Sequence, residues 1–180
     1  AHLFALQDEL RAGTWRPGSP TVFEIRDPKP RAITAAPFRD RVVHHALIGP
    51  LEERFDAALS PNTYACRRGM GTHRALDRAQ AALCRATHFL KLDIARCFPS
   101  IRHDVVRATL EPFELAPEVG RLIDCILAGA RGVEREGLPI GNLTSQWFAN
   151  LVLGRLDRYV SEAIAPLDYV RYMDDFVLFA

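Results

Sequence analysis

Cysteine is scarce in this sequence, and the placement of the few cysteines excludes one kind of protein. The four residues Cys66, Cys84, Cys97 and Cys125 include no Cys-x-x-Cys pair, which argues against a structural zinc site. A chain of 180 residues that is 48% hydrophobic can bury a core without disulfide bonds. We therefore expect reduced thiols and a cytoplasmic protein.

Long apolar runs are also missing. No stretch approaches the roughly 18 consecutive apolar residues of a transmembrane helix, and the N-terminal residues do not form a signal peptide, so we expect no membrane association. The sequence begins without Met and stops inside an apolar, β-prone run at Ala180, which indicates a fragment of a longer protein. It contains no internal repeat and no low-complexity segment.

The net charge of +1 conceals an uneven distribution of charged residues. Residues 1–105 carry 16 Lys/Arg and 11 Asp/Glu, a net charge of +5, whereas residues 106–180 carry 7 and 11, a net charge of −4. Lysine contributes only Lys29 and Lys91 to this total. A basic part beside an acidic part suits a polyanion that is bound next to a metal site.

Two adjacent carboxylates occupy a predicted turn near the end of the sequence. Residues 167–171 and 176–179 are β-prone and flank Tyr172-Met173-Asp174-Asp175, which predicts a hairpin. Aspartate is common in turns, so a solvated turn is the simpler interpretation. Two carboxylates at a hairpin tip are also a hard-oxygen site for Mg²⁺. That interpretation requires a third carboxylate elsewhere.

Asp93 is the candidate for the third carboxylate. It ends a strand that is predicted to be buried, residues 88–94, and the residues after it are too apolar for a solvent-exposed turn. Adjacent strands would bring Asp93 and Asp174 together. Carboxylates that converge on two Mg²⁺ ions support phosphoryl transfer without a protein nucleophile. The absence of a Ser/His or Cys/His pattern agrees with such chemistry.

Helical periodicity accounts for most of the remaining sequence. The adjacent residues His44 and His45 cannot share a helix face as metal ligands, so we interpret them as ordinary helix residues. Thr72 is predicted to cap its helix. The predicted helices are 2–11, 39–59 with an interruption at Pro50, 73–86, two helices within 103–129, and 144–165; the other predicted strands are 21–26, 31–34 and an edge strand at 131–136.

The order of these elements predicts an α+β fold. Two β–α passes that feed one antiparallel sheet suggest a palm of split βαβ type with helices packed on one face. Residues 60–71 form a loop between two helices and contain Arg67, Arg68 and two glycines, which suits an approach to phosphate.

Three motifs, taken in order, resemble those of the reverse transcriptases, and the resemblance covers nearly the whole chain. Residues 172–175 match the family's Tyr-x-Asp-Asp box, residues 90–98 match its first aspartate motif, and Lys29-Pro30-Arg31 is similar to its fingertip segment. The resemblance implies an RNA-directed DNA polymerase with the fingers and palm of a right hand. It assigns 1–87 and 103–141 to the fingers and 88–102 and 142–180 to the palm, with the thumb absent.

The resemblance also implies roles for individual residues. Catalysis is assigned to the three aspartates, which together with one neighbouring residue hold two Mg²⁺ ions: Asp93, Asp174 and Asp175, with Ile94. Contacts to the incoming nucleotide are assigned to Lys29, Arg31, Phe98, Ile140, Gly141 and Gln146, with Phe98 as the aromatic gate against a ribose 2′-hydroxyl. Contacts to nucleic acid are assigned to Arg67, Arg68 and Tyr172.

The implied partners are an RNA template, a DNA or RNA primer, dNTPs and an accessory protein, in a bacterial or phage-encoded system. Within the family, residues 39–47 and 138–146 are most similar to the reverse transcriptases of diversity-generating retroelements. Most reverse transcriptases have Gln-Gly and later Ser-Pro in the second region, where this chain has Ile140-Gly141 and Ser145-Gln146. Ile140 offers no hydrogen bond to the base or sugar, so the resemblance implies loosened base selection and mutagenic copying at template adenines.

Two alternatives stay open at this point. A non-catalytic nucleic-acid-binding relative would share the fold, although carboxylates beside phosphate weaken binding and argue against it. A retron-type or defence-type reverse transcriptase would share the chemistry, and the genes and repeats that flank the locus would distinguish it.

Overall fold

The computed structural model describes residues 2–26, 30–130 and 137–180 of the chain. It confirms a mixed fold of helices and strands. In chain order the elements are α1 His2–Ala12, β1 Thr21–Arg26, β2 Pro30–Ala35, α2 Phe38–Ile48, a 3₁₀ turn Gly49–Leu51, α3 Glu52–Ala57, α4 Thr72–Leu83, β3 Phe89–Asp93, α5 Cys97–Ser100, α6 His103–Leu110, a 3₁₀ turn Glu111–Phe113, α7 Pro117–Ala130, α8 Leu143–Tyr159, a π-helical turn Val160–Ile164, β4 Asp168–Tyr172 and β5 Asp175–Phe179.

A three-stranded antiparallel sheet in the order β3-β5-β4 carries the candidate site. The predicted hairpin is confirmed, because Tyr172 on β4 pairs with Asp175 on β5. Asp93, the last residue of β3, also pairs with Asp175. The prediction that adjacent strands bring Asp93 to the carboxylate turn is therefore confirmed. A separate two-stranded sheet joins β1 and β2.

Both faces of the three-stranded sheet are packed, so the prediction of helices on one face is wrong. On one face, Val170 and Phe179 pack in a cluster with residues of α4. On the other face, Tyr169 and Phe176 pack against Val160, which follows α8. The reason is the side-chain alternation of a strand: β4 and β5 place apolar residues on both faces, and each face therefore needs a cover.

Strand β3 is exposed, so the prediction of a buried strand is also wrong. All five of its residues are exposed, including Phe89 at 63%, Leu90 at 55% and Leu92 at 38%. Strand β3 lies at the edge of the sheet, whereas α4 packs against β4 and β5. An apolar run alone cannot distinguish a central strand from such an edge strand.

The predicted helix boundaries agree closely with the structure, with one change at Thr72. Pro50 interrupts the helix as expected, because α2 ends at Ile48 and α3 begins at Glu52 after a 3₁₀ turn. Thr72 does not cap α4: the N-cap is Gly71, with φ of 118°, and Thr72 is the first helical residue. The edge strand predicted at 131–136 lies outside the described residues.

The main hydrophobic core joins the segments that we predicted as fingers and palm. The Phe55 ring, on α3, lies 4.9 Å from the Phe113 ring and 6.1 Å from the Trp147 ring of α8. Trp15, Trp147 and Met173 belong to the same buried cluster. The division into fingers and palm stays a prediction. Within the described ranges, no helix has both the length and the apolar character that crossing a lipid bilayer requires.

Candidate active site

Three aspartates meet at one end of the three-stranded sheet. Asp93 and Asp175 face each other across β3 and β5, and Asp174 lies in the turn before β5. The Ile94 amide donates a hydrogen bond to the Asp174 carbonyl at 3.2 Å, which ties the end of β3 to the turn. The geometry thus joins residues that are remote in sequence.

The electrostatics of Asp174 reflect this crowding. Burial raises the pKa of its carboxyl group, and the charges of Asp93 and Asp175 raise it further. A hydrogen bond to its own backbone and the charge of Arg31 oppose the rise. Desolvation and like charges both disfavour a carboxylate, whereas a cation placed between the carboxylates would favour it.

Lys91 and Cys97 surround the aspartates with different chemistry. The Lys91 ammonium lies 3.2 Å from the Asp175 carboxylate, and both side chains are exposed. Burial, with the nearby charge of Asp174, raises the pKa of the buried Cys97 thiol to about 11. Burial and the neighbouring carboxylate thus favour the protonated, less reactive form of this thiol.

Strand β2 brings a second group of predicted site residues to the same region. Arg31 lies on β2, close enough for its charge to act on Asp174. The Thr34 amide of β2 donates to the Ile140 carbonyl at 2.9 Å. Gly141, with φ of 113°, lies against Ile33 and Thr34 so closely that a Cβ would be 3.0 Å from the Ile33 side chain. Lys29, the other predicted fingertip residue, lies outside the described residues.

Phe98, the last residue of the first aspartate motif, lies on helix α5. Its half-buried side chain packs against the main core. The Leu138 amide donates to the Phe98 carbonyl at 2.8 Å, and the next residue back, Gly137, contacts Pro99. The segment that contains Ile140 and Gly141 is thereby held against both α5 and β2.

Gln146 lies in the first turn of helix α8. It lines a cavity of about 270 Å³ together with His45, Cys66 and Trp147, and neither Asp93 nor Asp174 lines that cavity. A second cavity, of about 770 Å³, lies between α1, α2 and α7, and none of Asp93, Asp174 and Asp175 lines it.

The three residues predicted to contact nucleic acid differ in how they are held. The Arg67 guanidinium is mostly buried and donates to the Asp56 carboxylate and to the Ser60 and Thr63 carbonyls. The Arg68 side chain is 90% exposed. The exposed Tyr172 accepts a hydrogen bond at 3.1 Å from the Thr72 hydroxyl at the start of α4.

Sequence reasoning missed a buried polar network directly behind the turn. Arg171 is fully buried and forms an ion pair with Asp157 of α8. Its guanidinium also donates to the Met173 carbonyl and to Asn150. A signal was present in the sequence, because Asn150 and Asp157 are seven residues apart and so place two polar groups on one face of the helix.

The aspartates do not form a complete metal cage by themselves. In the part of the chain that the structure describes, no group of three or more His, Cys, Asp or Glu side chains is arranged to hold a metal ion. Magnesium is usually held by one or two carboxylates together with substrate phosphates, rather than by an all-protein cage. Asp93 and Asp174 have the donor chemistry for that kind of site.

Comparison with known proteins identifies relatives of this sequence. A family described as "Reverse transcriptase (RNA-dependent DNA polymerase)" matches residues 25–180. A putative COX1/OXI3 intron 1 protein of Saccharomyces cerevisiae is 23% identical over 172 residues, which are 91% of this chain and 21% of the relative. An uncharacterized 91 kDa protein in a cob intron of Schizosaccharomyces pombe is 27% identical over 145 residues, 77% of this chain and 18% of the relative. The chain thus spans about a fifth of the length of these relatives.

Solved structures share the fold. A chain of a partial Cas6-RT-Cas1–Cas2 complex has a TM-score of 0.54 and 19% identity, and the match covers 99% of this chain and 32% of that one. A chain of the telomerase of Candida albicans, solved with a fragment of telomeric RNA, has a TM-score of 0.54 and 11% identity over 98% of this chain and 42% of that one.

Proposed function

The chain belongs to the reverse transcriptase family, and from that premise we propose that its three aspartates form the nucleotidyl-transfer site of an RNA-directed DNA polymerase. The observation that carries the proposal is the pairing of Asp93 with Asp175 beside the Asp174 turn. The proposed partners are an RNA template, a DNA or RNA primer and dNTPs.

Divalent cations fit this site on the chemistry of its donors. Asp93 and Asp174 offer hard carboxylate oxygens, Ile94 has only its carbonyl to offer, and the mutual repulsion of the carboxylates is relieved by a cation. Bound Mg²⁺ would lower the pKa of the primer 3′-hydroxyl and stabilise charge on the transferred phosphoryl group. We assign Asp175 a supporting role, because Lys91 already neutralises part of its charge.

The other residues that the resemblance singles out are proposed to bind the incoming nucleotide. Arg31, whose charge reaches Asp174, is suited to the triphosphate, and Lys29 is its proposed companion from the fingertip segment. Phe98, Ile140 and Gly141 are proposed to shape the sugar and base pocket, supported by the contacts that hold residues 137–141 between α5 and β2. The position of Gln146 in a separate cavity supports an indirect role for that residue.

Nucleic-acid contacts are proposed for the exposed groups. The Arg68 side chain is 90% exposed and has a long ion pair with Glu52, at 4.0 Å, so it suits a phosphate contact. The donors of Arg67 are used by Asp56 and by backbone carbonyls, so its proposed contribution is to shape the loop. Tyr172 presents an exposed aromatic side chain whose hydroxyl is fixed by Thr72.

We further propose that the enzyme copies with low fidelity, as in diversity-generating retroelements. The support is Ile140, whose side chain has no hydrogen-bonding group and whose carbonyl is engaged by Thr34. Discrimination by a hydrophobic contact alone is weak compared with discrimination by a hydrogen-bonded one. The yeast relatives are intron proteins, so accurate copying by an intron-type enzyme is the competing outcome.

Primer extension by the full-length protein tests both parts. With an RNA template, Mg²⁺ and dNTPs, we expect extension by the parent protein and none by Asp174→Asn. The variant loses the negative charge of the metal-binding carboxylate but keeps the shape of the side chain. Asp175→Asn is the matched control next to it and should retain measurable extension. Extension by Asp174→Asn at the parent rate would contradict the assignment.

Sequencing of the products addresses fidelity. Errors concentrated opposite template adenines, and reduced by Ile140→Gln, would support the mutagenic enzyme. Uniformly accurate products would remove that part of the proposal and leave the polymerase intact.

A further inference from the structure

A fully buried arginine, Arg171, lies on strand β4 three residues before Asp174. Arg171 is 0% exposed, and its Nε and Nη2 atoms each lie 2.6 Å from an oxygen of the Asp157 carboxylate. This is a two-pronged ion pair, the geometry that suits guanidinium better than ammonium. The pair joins β4 to helix α8 inside the protein.

Asp157 is itself held in place on both of its oxygens. The Tyr169 hydroxyl donates to Oδ1 at 2.8 Å, and the Thr63 hydroxyl donates to Oδ2 at 2.8 Å. Burial, together with the neighbouring Asp157 carboxylate, raises the pKa of the Tyr169 phenol, so Tyr169 stays a proton donor. These two hydrogen bonds therefore fix the orientation of the Asp157 carboxylate that binds Arg171.

The remaining arm of the arginine reaches the turn that carries Asp174. Nη1 of Arg171 donates to the Met173 carbonyl at 2.9 Å and to the Asn150 side-chain oxygen at 3.0 Å. The Asn150 amide in turn donates to the Ala65 carbonyl at 2.9 Å. The Nη1 atom thus connects helix α8 to the carboxylate turn, and the Asn150 side chain extends the connection to the loop at Ala65.

The turn needs such support because of its backbone. Met173 is the first central residue of the two-residue connection between Tyr172 and Asp175, and its φ is +57°. Glycine is the residue that adopts this conformation without steric cost at such a position. A methionine there is held by its buried side chain and by the hydrogen bond from Arg171 to its carbonyl.

A contribution to stability alone does not explain why a charged pair, Arg171 and Asp157, occupies this buried position. A buried ion pair can often be replaced by apolar residues without loss of stability, because desolvation offsets most of the attraction. An apolar pair at these positions would still join β4 to α8, but it could not donate to the Met173 carbonyl. The feature unique to arginine is the fixed donor aimed at the turn.

We propose that Arg171 is a positioning residue for the candidate active site: its guanidinium, oriented by Asp157, fixes the Met173 carbonyl and through it the Asp174 carboxylate. The inference rests on the proposed function for its kinetic consequence, although the structural link stands by itself. The competing interpretation is that the pair only docks α8 and residues 62–64 onto β4, whose backbone already bonds Asn62 and Tyr64 through Arg171.

Arg171→Lys separates the two interpretations. Lysine keeps a positive charge for Asp157, but one ammonium cannot serve both oxygens of Asp157 and the Met173 carbonyl. In the metal-free full-length protein, hydrogen exchange followed by mass spectrometry should show the Ile94 amide, which bonds the Asp174 carbonyl, exchanging about tenfold faster than in the parent, the effect of losing about one hydrogen bond. In primer extension, kcat should fall about a hundredfold with little change in KM for dNTP, because misplacement of a reacting group by about 1 Å has that effect.

Tyr169→Phe is the matched control. It removes one hydrogen bond from the same buried carboxylate but leaves the bond from Arg171 to Met173 untouched. It should lower the melting temperature while Ile94 exchange and kcat stay near the parent values. If Arg171→Lys and Tyr169→Phe change exchange and kcat equally, the network is merely structural and the proposal is overturned.

Asn150→Ala keeps the test decisive if Arg171→Lys does not fold. It removes a second anchor of the same Nη1 atom without leaving a charge unpaired, so it should show the same local effect on Ile94 in smaller degree. Parent-like exchange and kcat in that variant would overturn the proposal. If the parent protein itself fails to extend primers, the proposed function fails, and the exchange data still decide the positioning role.

Discussion

Asp174 carries its negative charge in an unfavourable place. Its carboxyl group is half-buried and faces Asp93 and Asp175, and its pKa therefore lies above the ordinary aspartate value. In the absence of a cation, ionisation of this residue opposes folding. A cation bound between the carboxylates would relieve this repulsion. The crowding that destabilises the metal-free protein would therefore also strengthen metal binding.

We expect Asp174→Asn to raise the melting temperature of the metal-free protein at neutral pH. Because the folded-state pKa is raised, the folded protein holds the proton more tightly, and the wild type loses stability as pH rises from the ordinary aspartate value through the raised one. The asparagine variant lacks this loss. Thermal unfolding in EDTA across the acid range should show the two proteins converging below both pKa values.

Asp175→Asn provides the comparison for this stability experiment. Its exposed carboxylate pairs with Lys91, so the substitution removes an attraction as well as a repulsion and should give no gain. Addition of Mg²⁺ should reverse the order of wild type and Asp174→Asn. An equal melting temperature for wild type and Asp174→Asn at every pH would refute the electrostatic account.

At the scale of elements, one close contact holds the nucleotide-pocket segment to helix α5, which follows strand β3. A Cβ on Gly137 would lie 2.2 Å from the Pro99 carbonyl oxygen and 2.5 Å from two further backbone atoms of Pro99. The buried His103 ring adds a 3.0 Å hydrogen-bond contact with the Gly137 carbonyl. Because the obstacle is backbone, no side-chain rotation can make room.

Gly137→Ala should therefore destabilise the protein, by about 1–3 kcal/mol as for other overpacked sites. Gly154→Ala is the control within helix α8, where a Cβ meets no atom of the described residues within 4 Å. It should stabilise by about 0.5–1 kcal/mol, since glycine is a poor helix former. Urea unfolding of both variants measures the difference, and a Gly137→Ala variant as stable as the parent would contradict the contact.

The elements also illustrate which properties are visible in sequence. The carboxylate turn and the break at Pro50 were predictable because hairpins and helix interruptions depend on neighbouring residues. The exposure of β3 was not predictable, because an apolar run in the sequence does not show how many other elements pack on the strand. The cover on the second face of the sheet was likewise hidden, since it depends on where the end of α8 packs.

Within the site, the grouping of Asp93 with residues 174–175 was predictable from a strand end and a turn. The pairing of Arg171 with Asp157 was not, because each alone is an ordinary charged residue and only the fold buries them together. The two helical polar residues at a seven-residue spacing were the available clue. The pattern of charged residues along one helix or strand does not show which residue of another element they pair with.

For the molecule as a whole, the continuous core indicates that the predicted fingers and palm unfold together. Both tryptophans of the sequence, Trp15 and Trp147, lie in that core, one in each predicted part. A shared core makes separate stability of the two parts unfavourable, because unfolding one part exposes apolar surface of the other.

Single-tryptophan variants test this cooperativity. In Trp15→Phe the fluorescence reports Trp147, and in Trp147→Phe it reports Trp15, so each variant follows a different predicted part. Trp15→Phe removes an indole Nε1 that is buried with no hydrogen-bond partner among the described residues, which offsets part of the cost of the smaller ring in the core. Within each variant, the urea midpoints from fluorescence and from far-ultraviolet circular dichroism should coincide. Separated midpoints would indicate two independent folding units.

The buried pair of Arg171 and Asp157 also limits how this sequence can change over evolutionary time. Replacing either residue first leaves the other as an uncompensated buried charge, and breaking such a pair costs about 3–5 kcal/mol. That is a large share of the about 5–15 kcal/mol by which a domain is stable. Single steps away from the pair therefore pass through a poorly folded intermediate, whereas substitutions of the exposed apolar residues Phe89, Leu90 and Leu92 on strand β3 meet no such barrier. Neutral drift should leave the pair in place while the surface around it diverges.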